Sequence, residues 1–189
     1  MRARVRGGGA RFPAFAGATH PARALYRYLA GIREGSEMTT ITTVATIARP
    51  PAEVFDFVTT PANWPRWHPS SVRVTGDAGH PLRVGERCVE EYVVAGRRGS
   101  GEWTVIAWDP PRRWSIEANP PGGGHATIVY ELTAVGGGTR FTRTLYYRMP
   151  NAFLTLLNAL LLRRRVERES AIAVNNLRLL LDPAIPASR

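Results

Sequence analysis

The apolar and polar positions divide the chain into a long C-terminal helical stretch, a β-patterned middle and a basic N-terminal extension. Residues 151–182, NAFLTLLNALLLRRRVERESAIAVNNLRLLLD, contain neither Gly nor Pro and are rich in Leu, Ala, Arg and Glu. This predicts one helix of roughly 45 Å, with Asn151 as its N-cap and Pro183 forbidding continuation past Asp182. Its second half carries an apolar stripe of Val166, Ser170, Ala173, Val174, Leu177, Leu180 and Leu181, with Arg164, Arg165, Arg168, Glu169 and Asn176 opposite or flanking. That half is expected to lie on a sheet. In the first half Phe153, Leu154, Leu157, Leu160 and Leu161 cover the face that should be solvated, while the stripe itself carries the smaller Ala152, Thr155 and Ala159. Small side chains there would leave room beneath the helix. The surplus leucines need a neighbouring loop, a partner or a membrane surface to cover them.

Upstream the pattern changes to period two. Thr39 to Ala48, TTITTVATIA, alternates and is β-branched, and Arg49 before Pro50 ends it extended. Pro51-Ala52-Glu53 starts a helix whose buried face is Val54, Phe57 and Val58, with Phe55 beside them, stopped at Thr59-Thr60-Pro61. A second helical turn is expected in PANWPRW. Strands are then expected at Ser71 to Thr75, Arg87 to Val94, Gly101 to Trp108, Arg113 to Ala118, His125 to Val135 and Thr139 to Arg148. Turn chemistry separates them at Gly76 to Gly85, Ala95 to Gly99, Asp109-Pro110-Pro111, Pro120 to Gly124 and Gly136-Gly137-Gly138. Short connections between strands predict an antiparallel meander, so the order is β-α-α-β6-α and the class α+β.

Composition sharpens this picture. The 189 residues, 44% of them hydrophobic, suit one domain of about 150 residues plus a tail. All 25 basic residues are Arg, which with the many Gly, Ala and Pro reads as the codon bias of a GC-rich bacterial genome. The net charge of +10 is divided evenly: residues 1–37 hold seven Arg against Glu34 and Glu37, and the remainder holds 18 Arg against 13 acids. No nucleic-acid reader motif accompanies the arginine runs, so nucleic acid is not expected as a partner. Cys88 stands alone, which excludes a disulfide framework or a cysteine zinc site and suits a reducing cytoplasm. His20, His68, His80 and His125 lack metal-ligand spacing, and neither metal nor cofactor is expected. Residues 1–37 have no apolar run long enough for a secretory core or membrane span. They read as a disordered extension or the product of a mis-assigned start codon before Met38, with a short helix allowed at Ala22 to Ile32. The domain is therefore expected over 38–183, followed by a tail at 184–189.

The segments Ile47 to Trp67 (IARPPAEVFDFVTTPANWPRW), Val84-Gly85-Glu86, Asp109 to Trp114 (DPPRRW), Gly137 to Thr142 (GGTRFT) and the terminal helix occur in this order over Thr39 to Asp182. In that order they resemble the START-like, helix-grip superfamily called SRPBCC, and within it the polyketide cyclase/dehydrase-like group. The resemblance implies a strongly bent antiparallel sheet of about seven strands around the C-terminal helix, with a cavity between them for a hydrophobic small molecule. It also implies several possible activities, because the superfamily includes cyclases, lipid carriers, coenzyme Q-binding proteins and co-chaperone-like modules.

Strand parity nominates the cavity wall. Phe141, Arg143, Leu145 and Tyr147 share one face of the last strand, and Ile128, Tyr130 and Leu132 share one face of its hairpin partner. Trp67 and Tyr92 complete the expected lining. Arg143 among inward aromatics must be paired or must bind an anionic or carbonyl group, with Glu90 as the nearest partner by pattern; a slip of one residue would instead turn it to solvent. Trp64 and Trp67 plug one end of the core or line the mouth, and His68 is a surface turn residue or an acid/base. Trp103 and Trp108, on opposite faces of one strand by parity, should not both reach the cavity. Aldol-type cyclisation would need a polarised carbonyl and a proton acceptor, for which Arg143 and His68 or Glu90 are the weak catalytic candidates. The expected function is that of a carrier or sensor of a lipid, polyketide or isoprenoid-like ligand. A cyclase/dehydrase-type enzyme is the alternative, and a membrane-surface or protein-interaction module the third reading. Phe153, Leu157 and Leu161 offer a face for a membrane surface or a homodimer, so the protein is expected to be cytoplasmic with peripheral membrane contact allowed.

Overall fold

The computed structural model describes residues 38–94, 96–119 and 124–182. The expectations for residues 1–37, for Ala95 and residues 120–123 within the turns, and for the tail 184–189 lie outside the described residues. The elements run β1 (Thr39–Ile47), α1 (Pro51–Thr59), a 3-10 turn (Pro61–Asn63), α2 (Trp64–Trp67), β2 (Ser71–Gly76), β3 (Arg87–Val94), β4 (Arg97–Asp109), β5 (Arg113–Ala118), β6 (His125–Val135), β7 (Gly138–Arg148), α3 (Ala152–Leu157), a π-helical turn (Asn158–Leu162) and α4 (Arg163–Leu181). All seven strands form one antiparallel sheet in the order β1-β7-β6-β5-β4-β3-β2. This is the helix-grip α+β fold.

Local chemistry sets the joints. Gly137 turns the β6–β7 hairpin at φ +83°, and a Cβ on Gly138 would lie 2.4 Å from the carbonyl oxygen of Ile47, so only glycine lets β7 start this close to β1. Asn151 caps the last helix by accepting from the Leu154 N–H at 2.9 Å. At the other end the Asp182 carboxylate accepts from the Ala48 N–H at 2.8 Å, and Arg49 Nε donates to the Leu181 carbonyl at 2.8 Å. The helix is thereby tied to the end of β1. Ala173, Val174 and Leu177 of α4 are buried with Ile47, Val54, Phe55, Val58 and Trp114 in a single core. Each large aliphatic side chain sealed there contributes about 1.5–3 kcal/mol.

Four expectations are corrected by the tertiary arrangement. Leu180 is 40% exposed rather than part of the buried stripe, while Leu181 beside it packs partly against the core. Ala152 and Ala159 do not face the sheet: they are exposed, and the buried residue of the first half is Asn158. The π-helical turn at Asn158–Leu162 adds a residue to the helical repeat and rotates the upstream face away from the phase of α4. The stretch Ala95 to Gly99 is not all turn, since β4 pairs from Arg97 opposite Val94 and carries Gly99 and Gly101 within the strand. A Cβ on Gly99 would come within 2.7 Å of the Tyr92 ring, so the glycine makes space for an aromatic laid across the neighbouring strand. Lastly, Trp103 and Trp108 are not on opposite faces: the register shifts between Val105 and Ala107, and this bulge turns both indoles toward the core.

Candidate functional site

A pocket of about 360 Å³ lies between the sheet and the last helix. Strands β3 to β7 supply most of its wall, α2 and the residue that caps it supply Trp64, Trp67 and His68, and α4 closes it with Val166, Glu169 and Ser170. The exposed Arg148 and Pro150 and the half-buried His125 line the end that meets solvent. The inner wall is apolar and includes Ile116, Ile128 and Leu145. Tyr130 stands where the pocket meets the packed core, with its ring 5.3 Å from Trp114, 5.2 Å from Phe141 and 6.3 Å from Trp67.

Of the residues expected to line the cavity, Trp67, Tyr92, Tyr130, Arg143, Leu145 and Tyr147 lie on this wall. Leu132 and Phe141 do not. They share the face but sit further along β6 and β7, where helix α1 rather than the pocket covers the sheet, and both are sealed in the core. Parity reports the face of a strand and says nothing about which part of that face a helix occupies. Trp103 reaches the pocket while Trp108 packs edge-on against Phe55 at 5.1 Å.

Arg143 is turned inward and is 3% exposed. It stands directly opposite Tyr130 in the β6–β7 ladder, and its Nη1 donates to Ser170 Oγ at 3.3 Å. Its Nε is buried without a hydrogen-bond partner. Glu90, the expected partner, faces the same pocket and feels the arginine's field, but the two form no ion pair; Glu90 Oε2 instead accepts from the Trp103 indole at 2.8 Å. Burial pushes the Glu90 carboxyl above its ordinary value, against the opposing effects of Ser71, Trp103 and Arg143. The Ser71 hydroxyl lies toward this carboxylate, yet it lacks a partner of hydrogen-bond geometry.

His68 is not a surface turn residue. Its ring is 5.6 Å from Trp67, its Nδ1 is buried and unpartnered, and it lines the pocket. Burial, then the Arg143 charge, lowers its pKa to about 3, so the imidazole is neutral at pH 7 and is not a proton donor there. Burial pushes the Tyr130 hydroxyl up to about 12 and the Cys88 thiol likewise to about 12, which removes that thiol as a nucleophile near neutral pH. Among the described residues no three His, Cys, Asp or Glu side chains come together to hold a metal ion. No described helix is long and apolar enough to cross a membrane.

Three features escaped the sequence. Ser70 and Ser170 look like ordinary small polar residues, but Ser70 Oγ donates to Glu169 at 2.8 Å and Ser170 accepts from Arg143. Asn158 sits inside a leucine run, where it accepts from the Tyr147 hydroxyl at 2.7 Å and donates to Thr39 Oγ1 at 3.0 Å. A lone Asn among leucines was the available clue.

Sheet, gripping helix and apolar pocket define a helix-grip domain of the SRPBCC superfamily, a class that binds hydrophobic small molecules. The family described as "Polyketide cyclase / dehydrase and lipid transport" matches residues 38–182, and the chain belongs to it. Among curated proteins none matches the chain. Among solved structures, protein Ms6760 from Mycobacterium smegmatis is similar at 26% identity, covering 75% of this chain and 90% of that one, with a TM-score of 0.55. Ginseng major latex-like protein 151 from Panax ginseng is similar in fold at 12% identity, 77% and 99% coverage, and a TM-score of 0.57. The Aha1 dimer from Colwellia psychrerythraea, solved in solution, is similar in fold at 15% identity, 76% and 96% coverage, and a TM-score of 0.54.

Proposed function

We propose that this protein is a carrier or sensor that holds one lipid, polyketide or isoprenoid-like molecule in the pocket between the sheet and the last helix, in the cytoplasm. The observation that carries the reading is the apolar wall around Tyr130, which the core leaves unfilled beside a tightly packed aromatic cluster. In this reading Trp67, Tyr92, Tyr130, Leu145 and Tyr147 contact the ligand body, and Arg143 meets its polar end. Mass spectrometry of the intact protein, followed by organic extraction, tests it. A lipophile released unchanged is the expected result; a protein that is empty and takes up no added lipophile would overturn it.

An enzymatic reading rests on one different observation, that Arg143 and Glu90 face a common pocket without pairing. Arg143 would polarise a substrate carbonyl, and Glu90, whose raised pKa suits proton transfer, would act as acid or base. His68 would contribute only as a weak neutral acceptor. Conversion of a supplied polyketone by the wild type, lost in Glu90→Gln with binding retained, would favour the enzyme over the carrier.

The ligand is proposed to load from an anionic membrane surface. Phe153, Leu156, Leu160 and Leu161 are 74%, 58%, 66% and 66% exposed around the π-helical turn, while Leu157 is half-buried. Arg164 and Arg168 follow them with no acidic partner among the described residues, whereas Arg163 and Arg165 pair with Glu167 and Glu169. Exposed leucines next to free guanidinium groups match an interface of acyl chains below anionic headgroups. A homodimer through Phe153, Leu157 and Leu161 is the competing use of the same face.

A further inference from the structure

We infer that the pocket takes a lipophile ending in a carboxylate, and that this carboxylate sits on Arg143 and the indole N–H of Trp67. The inference rests on the reading of the pocket as a lipophile site and adds the chemistry of the ligand's polar end. Arg143 is almost fully buried and carries a guanidinium charge, yet its side-chain hydrogen bonds, from Nη1 to Ser170 Oγ and to the Tyr130 hydroxyl, run to neutral groups, and its Nε has no partner. Trp67 is 1% exposed and its Nε1 is also buried without a partner. Both residues line the same pocket, and Tyr130 touches both neighbourhoods, being 6.3 Å from the Trp67 ring and directly opposite Arg143 in the ladder.

Neither acid on the wall forms an ion pair with Arg143. Glu90 accepts from Trp103, and burial favours its uncharged form, while Glu169 accepts from Ser70 and from Arg165 Nε at 3.3 Å. His68 brings no charge at neutral pH. A buried guanidinium without a counter-ion is costly, and a neutral carbonyl would satisfy one N–H while leaving that charge uncompensated. A carboxylate satisfies both, because its two oxygens accept from the arginine and the indole together in charge-assisted bonds. Burial favours the protonated form of Glu90, which lessens its repulsion of a second carboxylate. At about 360 Å³ the pocket is near the small end of the usual range of about 300–1,000 Å³, so a single-chain or single-ring-system acid fits it and a two-chain phospholipid does not.

Fluorescence titration of the full-length protein with cis-parinaric acid and with its methyl ester isolates the head group, since the hydrocarbon is the same. The acid should bind the wild type about tenfold tighter or more, as bonds to charged groups of about 1.5–3 kcal/mol require. Arg143→Gln should bring the two affinities together by weakening the acid alone, and Trp67→Phe should weaken the acid a few-fold. Should Arg143→Gln fail to fold, the wild-type ratio and Trp67→Phe still decide the matter. Equal affinities in the wild type, or a ratio unchanged in Arg143→Gln, would overturn the carboxylate assignment and leave the lipophile pocket standing. Binding of neither probe would overturn both.

Discussion

The Trp103 indole donates a 2.8 Å hydrogen bond to Glu90, joining β4 to β3 on the pocket wall. This bond opposes the burial that raises the Glu90 pKa. Trp103→Phe should therefore cost about 1–3 kcal/mol, the price of leaving a buried acceptor short of a donor. The folded pKa of Glu90 lies above its unfolded value, so its contribution is fully present below about 4.5 and is lost as pH rises through the folded pKa. Removing the indole pushes that folded pKa higher still. Urea denaturation should show a larger loss in Trp103→Phe at pH 7 than at pH 4, and an equal loss at both would refute the coupling.

His68 behaves with the opposite sign. Its folded pKa, about 3, is below the unfolded 6.5, so the unfolded chain binds the extra proton first and stability falls as pH drops from 6.5 toward 3. His68→Gln should flatten this part of the Tm profile. Profiles of wild type and variant that run parallel between pH 6.5 and pH 4 would rule the assignment out.

Asn158 ties the first half of the last helix to the sheet through Tyr147 and Thr39. It is also the only buried residue in α3 and the π-helical turn among those described. Asn158→Leu should destabilise by about 1–3 kcal/mol through the orphaned Tyr147 and Thr39 hydroxyls. Amide exchange should accelerate across residues 152–162 while β5 to β7 stay protected. Uniform acceleration over the whole sheet would mean that the asparagine supports the core as a whole.

Gly138→Ala should cost about 1–3 kcal/mol or more, because the new methyl meets the backbone carbonyl of Ile47 and not a movable side chain. Loss of protection should centre on the β1–β7 ladder. A variant as stable as wild type would show that β1 can retreat without loss.

The leucine face is tested with vesicles and by mass. Binding to phosphatidylglycerol vesicles should weaken with salt and fall in Arg164→Gln/Arg168→Gln, and it should be lost in Leu160→Ser/Leu161→Ser. A concentration-dependent dimer that dissociates on changing Leu157 and Leu161 would assign the face to a second copy instead.

The sequence alone determined the element order, the meander, the N-cap at Asn151 and the stop at Asp182, because these depend on local periodicity and on residues with strong backbone preferences. It also placed Arg143 with Tyr147 and Leu145, since side chains two apart on a strand share a face whatever the sheet does. Only the tertiary structure decided where along that face the pocket begins. Leu132 and Phe141 have the right parity and lie under α1, whereas His68, which the sequence left between a surface turn and an acid/base, and Ser170 are brought to the pocket by α2 and α4 packing across one another. A bulge in β4 and a π-helical turn after Leu157 each changed a face assignment, because one extra residue resets the period of everything beyond it. The missing ion pair between Arg143 and Glu90 is of the same kind. Parity put them on one concave surface, and the tertiary structure pairs Glu90 with the Trp103 indole and Arg143 with Ser170 instead.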